Sequence, residues 1–164
     1  MHLRQPAVAG RFYTDVPADL RAEVESFLKQ GAALPASALA AGDAAHLAGL
    51  MLPHAGHVYS GRVIGATLAH VRLPRTVFLL CPNHTGLGTP LSVWPAGAWQ
   101  TPLGPVPVDG EMARLLCEAD EDFSADVMGH VREHSIEVLL PFLQVCAGDA
   151  PLHVVPTQTG TTCR

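Results

Sequence analysis

Two short, uninterrupted apolar runs, residues 47–52 and 76–81, each end directly on a proline and, within three residues, a histidine; this pair constrains the fold more than any other feature. A run of about six apolar residues without alternation is the pattern of a strand covered on both faces. Between the runs, Val63, Ile64, Thr67, Leu68 and Val71 fall on one helical face over residues 61–71. The span therefore predicts a βαβ unit of about 30 residues, with two central parallel strands and a right-handed crossover.

This arrangement has a chemical consequence. His54, in Pro53-His54-Ala55-Gly56, leaves the first run, and His84, in Cys81-Pro82-Asn83-His84, leaves the second. Ligands of open α/β sheets bind at the carboxyl edge of the strands. Neighbouring strands lie about 4.8 Å apart, so both imidazoles are expected within reach of one metal ion. A third candidate is Glu133-His134-Ser135, where the next helical pattern opens with Ile136, Leu139, Leu140 and Leu143. A helix N-terminus lowers the proton affinity of an imidazole, which makes His134 a candidate general acid or base. Glu133 or Glu137 is placed to orient it, or to add an oxygen to a two-histidine, one-carboxylate metal set. The competing local readings are backbone-bonded loop histidines at 54 and 84, and a helix cap with a solvated ring at 134. His2, His46, His70 and His153 read as surface or core residues, and His57 and His130 stay open. Cys81 reads as a small buried hydrophobe, and Ser60 lacks the Gly-x-Ser-x-Gly elbow of a hydrolase nucleophile.

The rest of the chain alternates helix and strand. Leu20, Val24, Phe27 and Leu28 predict an amphipathic helix over 17–31, capped by Thr14 or Asp15 and ended by Gly31, followed by a connecting stretch over 32–45. Residues 91–94 read as a strand, Thr101-Pro102-Leu103-Gly104 as a turn, and Asp109 as the cap of a helix carrying Met112, Leu115 and Leu116. Pro141 bends the helix around 136–143 or starts a second segment. Residues 152–155 read as a buried strand closed by Pro156, and the polar residues 157–164 have no partner element. The whole predicts one α/β domain over 1–164, a central largely parallel or mixed sheet flanked by helices, with uncovered strand edges around 152–155 through which copies self-associate.

Composition narrows the function. With 48% hydrophobic and 15% charged residues the chain carries enough apolar material for a core. A formal charge of −5 and no basic run exclude a nucleic-acid footprint or an anionic-membrane surface. The N-terminus lacks the apolar stretch of a secretory signal and no apolar run reaches a membrane span, so a cytoplasmic location is expected. Four scattered cysteines without a Cys-x-x-Cys pair argue for free thiols.

At the residues that carry the chemistry, the sequence resembles the MEMO family, also known as protein B of the AmmeMemoRadiSam system. The matching blocks are Arg4-Gln5-Pro6-Ala7-Val8-Ala9-Gly10-Arg11-Phe12-Tyr13, Pro53-His54-Ala55-Gly56-His57-Val58-Tyr59-Ser60-Gly61, Pro82-Asn83-His84, Thr101-Pro102-Leu103-Gly104 and Glu133-His134-Ser135-Ile136-Glu137. The resemblance implies a fold similar to class III extradiol dioxygenases. It also implies metal-ligating roles for His54 and His84, a catalytic pocket role for His134, and a substrate pocket that includes Tyr59, Asn83 and Glu133. The implied cofactor is a divalent metal ion, iron or copper ahead of zinc, and the implied activity is metal-dependent redox chemistry on a small molecule or peptide. A non-enzymatic pocket for a peptide or small anion is the alternative, and an inactive gene product the third reading. The family pattern has a second half with an Asp-x-x-His block and a metal-ligating cysteine that the sequence does not match, so a C-terminally incomplete member is expected. Where this chain has His57, the pattern has tyrosine; an extra ligand or an altered pocket shape is the expectation there.

Overall fold

The computed structural model describes residues 3–34 and 48–160. The chain forms an α/β fold with two sheets flanked by helices. The larger sheet has four strands in the order β2 (Thr76–Asn83), β7 (His153–Gly160), β3 (Leu91–Val93) and β6 (Phe123–Ala125). It is mixed: β2 runs parallel to β7, β7 antiparallel to β3, and β3 parallel to β6. A smaller sheet joins β1 (Leu3–Arg4), β4 (Ala98–Thr101) and β5 (Gly104–Pro107), the last two forming a hairpin whose turn holds Gly104 at a φ of 114°. Helix α1 (Pro17–Ala32) lies on α2 (His57–Leu68), and α4 (Leu140–Ala147) packs beside them. Helix α3 (Gly110–Ala119) opens on Asp109, whose side chain accepts a hydrogen bond from the Met112 N–H, as the sequence predicts. Among the described residues no helix is long and apolar enough to cross a membrane.

The core gathers Leu20 and Val24 of α1, Ile64 and Leu68 of α2, Leu140, Phe142 and Leu143 of α4, and Trp99 of β4. Each fully buried side chain of this size is worth roughly 1.5–3 kcal/mol in area removed from water. Close helix crossing is set by glycine. A Cβ on Gly31 would lie 2.6 Å from the Ala66 Cα, and one on Gly65 would lie 2.5 Å from the Phe27 carbonyl oxygen. Gly31 therefore seats α1 against α2 rather than ending α1. That helix begins on Pro17 after Val16 without a side-chain cap, and Thr14 instead accepts from the Val16 N–H.

Four expectations are corrected. Residues 48–52 pair with neither sheet, so the expected first strand and its βαβ unit are not formed among the described residues, and residue 47 lies outside them along with 35–46. A strand covered on both faces needs packed layers above and below it, and Met51 is instead 97% exposed. Strand β2 exists where expected, but among the described residues it is an edge strand: Leu79, Cys81 and Asn83 are buried while Phe78 and Leu80 are 47% and 65% exposed. Helix α2 starts four residues earlier than the apolar period suggests, burying His57, Ser60 and Gly61 and exposing Val63.

The fourth correction concerns the C-terminal residues. Thr157 and Gln158, read as an unpartnered tail, lie fully buried in the middle of the sheet, with β2 on one side and β3 on the other. Among the described residues β2 and β6, not the strand at 152–155, lie at the edges of this sheet. Pro156 is tolerated because its backbone faces the β3 side, where its carbonyl accepts from Trp94 just past the end of β3 and the missing N–H breaks no ladder with β2. Pro141 sits in the first turn of α4 after a single 3-10 turn (Glu137–Leu139), so it starts a second helical segment.

Candidate metal centre

His84 follows β2 directly, His54 stands in the loop before α2, and His134 lies just ahead of the 3-10 turn, whose Val138 N–H bonds its carbonyl. The structure brings all three rings together. The centroids of His84 and His134 are 4.7 Å apart with planes 25° from parallel. His54 lies 5.3 Å from His84 and 6.1 Å from His134. Phe12 meets the His134 ring edge-on at 4.9 Å. The first half of the expected geometry thus holds for His84, which leaves a strand at its carboxyl end. His54 reaches the same place from a loop that Gly56 lets pass close over Phe12, where a Cβ would stand 3.1 Å from the Phe12 carbonyl oxygen.

The fully buried Glu133 carboxylate lies beneath the rings. Its Oε1 accepts from His84 Nδ1 at 2.9 Å, the His134 N–H at 2.8 Å and the Ser135 N–H at 3.1 Å, and its Oε2 accepts from the His84 N–H. The Nδ1 of His134 stands 3.1 Å from the same Oε1. Desolvation by itself would push this carboxyl up, but the His84 ring N–H and the three backbone N–H groups outweigh it and hold the pKa at about 2. The carboxylate therefore stays charged and orients the His84 ring by its Nδ1 edge. Burial, and then the neighbouring His84, lower the pKa of His54; burial also lowers that of His134, reinforced by His84 and His54 and opposed by Glu133. Both are neutral imidazoles at pH 7. His84, Glu133 and His134 each present a donor atom within 4.8 Å of the others.

The chain that carries these groups is tied down by residues whose part the sequence did not reveal. Arg4 donates to the carbonyls of His130 (Nε, 2.8 Å) and Glu133, bridging both ends of the loop that bears the carboxylate, and lies 4.1 Å over the Trp99 ring. Its other arm pairs with buried Glu137 at 2.7 Å. Glu137 also accepts from Ala7 N–H, Val8 N–H and the Tyr13 hydroxyl. That carboxylate is committed to the N-terminal segment, so the expected option of Glu137 orienting or joining His134 is corrected. Ser135 donates to the Pro82 carbonyl at 3.0 Å, latching the His134 loop to the end of β2.

Other expected positions divide. Asn83 is buried, but its side chain closes the loop after β2: it donates to Leu87 O and accepts from Thr85 and Gly86. Tyr59 is 83% exposed on α2 and is not brought to the rings. His57 points away from the site into the core, stacked on Tyr13, with Nε2 2.9 Å from Val138 O and Nδ1 3.1 Å from Glu23. His130 is buried under Trp94 and Trp99, and desolvation lowers its pKa to about 4. Burial raises the Cys81 thiol to about 11, in keeping with a small buried hydrophobe. His2, His46 and Cys163 fall outside the described residues.

A family model described as "Memo-like protein" matches residues 4–162, nearly the whole chain. The chain belongs to the Memo family. It is 43% identical over 154 residues to a MEMO1 family protein of Desulfurococcus amylolyticus, covering 91% of this chain and 54% of the relative. A MEMO1 family protein of Methanothermobacter thermautotrophicus is 39% identical over 145 residues, with 87% and 52% covered. One of Thermotoga neapolitana is 40% identical over 154 residues, with 90% and 55% covered. The chain spans about half the length of these Memo relatives. The described residues of this Memo chain include the three rings, the carboxylate beneath them and the Arg4 clamp.

Proposed function

We propose that this chain carries the divalent-metal centre of a dioxygenase-like Memo protein, with His54 and His84 as ligands and His134 handling protons beside them. The observation that carries the reading is the Glu133 carboxylate on His84 Nδ1, an outer carboxylate orienting a ligand histidine by its Nδ1 edge. The donor set suits a borderline metal: two imidazoles at 5.3 Å between centroids, His54 neutral, with no thiolate among them. Iron or copper is the reading ahead of zinc. Glu133 is an outer-shell residue here, because its lone pairs are engaged by N–H donors.

When bound, the metal would supply Lewis-acid and redox chemistry at coordination positions the protein leaves open. The chain's own residues do the rest. His134, neutral and with Nδ1 beside Glu133, offers Nε2 to accept a proton, and Glu133 stabilises the imidazolium that results. A groove of about 1040 Å³, lined among others by His54, Val63, Leu80, Cys81 and His134, leads to the rings and suits a small molecule or peptide with an apolar body.

Calorimetric titration of the purified chain with iron(II), copper(II) and zinc(II) tests the reading. We expect one site that His54→Ala and His84→Ala each abolish and that His134→Ala leaves in place. Unchanged affinity in both ligand variants would put the metal elsewhere. A groove that binds anions or peptides with no metal dependence would support recognition instead.

A further inference from the structure

His57 is fully buried and takes no part in the centre itself, yet its contacts join the segments that carry His54 and His134. It opens α2, three residues after His54. Its backbone N–H donates to the Phe12 carbonyl at 2.8 Å, and the Phe12 ring is the one that meets His134. Its own ring stacks on Tyr13 at 5.1 Å, whose hydroxyl donates to Glu137. Nε2 lies 2.9 Å from the carbonyl of Val138, the residue whose N–H bonds the His134 carbonyl. Nδ1 stands 3.1 Å from the Glu23 carboxylate of α1, and Phe142 of α4 meets the ring edge-on at 5.0 Å.

A buried imidazole is a costly choice where a phenyl ring would fill the same space, because its polar edges must be paired. A carbonyl oxygen only accepts, so the Val138 contact is a bond that the His57 ring donates. That bond ties the start of α2 to the 3-10 turn just after His134. His84 is held by Glu133 directly, whereas His54 stands in a loop and is anchored through the chain that follows it. We infer that His57 is a positioning residue for the centre: by joining α2 to this turn, it sets the place of His54 against the other two rings. Glu23 backs it from α1. The inference rests on the reading of His54 as a ligand only for its consequence, and its geometry is tested without metal.

Nuclear magnetic resonance of the metal-free chain makes that test. In the unaltered chain, proton cross-peaks are expected to join the His54 ring to those of His84 and His134. His57→Phe keeps the stack on Tyr13 and loses both polar contacts. It should lose the His54 cross-peaks, while those between His84 and His134, held by Glu133, remain. His57→Gln, whose amide N–H can donate to Val138, should restore them. Glu23→Ala, at a side chain 35% exposed, leaves the fold intact and should weaken the same His54 signals. Zinc titration reads the consequence: binding about tenfold weaker in His57→Phe and close to the unaltered value in His57→Gln. If the unaltered chain binds no zinc but the cross-peaks change as described, the metal reading fails and the brace stands. His54 cross-peaks that survive both His57→Phe and Glu23→Ala, or that glutamine fails to restore, would overturn the inference. So would the loss of all the cross-peaks together, which marks a merely structural residue.

Discussion

Glu133 is the residue on which the centre turns. It receives two contacts from His84 and one each from the backbone of His134 and Ser135, so removing its charge frees one ring and loosens the segment carrying the other. Glu133→Gln is expected to cost about 10–100-fold in metal affinity, the usual weight of an outer-shell carboxylate, read by titration against the unaltered chain. Gln158 makes the contrasting case. Both polar atoms of its fully buried side chain lack a protein partner, so Gln158→Met should be neutral or raise the melting temperature. At this scale the sequence marked the three rings that the structure brings together but not their wiring. His54, His84 and His134 stood out because imidazoles beside prolines and at a helix start are chemically conspicuous. The uses of Asn83, Glu137 and His57 were hidden, because each is consumed by backbone or side-chain partners distant in sequence, and no local pattern records those.

Among the elements, the N-terminal segment is held by one buried ion pair. Arg4 and Glu137 are essentially unexposed, and each makes further hydrogen bonds. Truncating one partner strands the other charge, so Arg4→Ala is expected to destabilise by about 3–5 kcal/mol in a denaturant melt. Replacing both by apolar residues should cost less. The α1–α2 crossing gives a second test: Gly65→Ala places a methyl against the Phe27 backbone, and a loss of about 1–3 kcal/mol is expected. Helical period located α1, α3 and α4 well. It misplaced the start of α2 because the buried side of the first turn is His57 and Ser60, which carry no hydrophobic signal, while Val63, which carries a strong one, faces the groove. Residues 48–52 form no strand among the described residues for a related reason: an apolar run reports a demand for cover, and the described residues do not supply it.

For the molecule as a whole, the family and the α/β class were legible, since ordered motifs spread over nearly the full chain. The position of the open edge was not, because the polar Thr157 and Gln158 disguise a central strand. The Glu133 carboxyl also couples the fold to pH. Its pKa falls from 4.5 to about 2 on folding, so its contribution is complete above the unfolded value and is lost as the pH drops through the interval between them. Acid unfolding of the chain should therefore steepen from about pH 4.5 to 2, and Glu133→Gln should flatten that part of the curve. X-ray absorption on the copper- or zinc-loaded chain tests whether His54 and His84 hold the metal. Two imidazole rings with nitrogen at about 2.0–2.1 Å are expected, falling to one in His54→Ala. A shell of oxygen alone, or sulfur at about 2.3 Å from a cysteine, would contradict it.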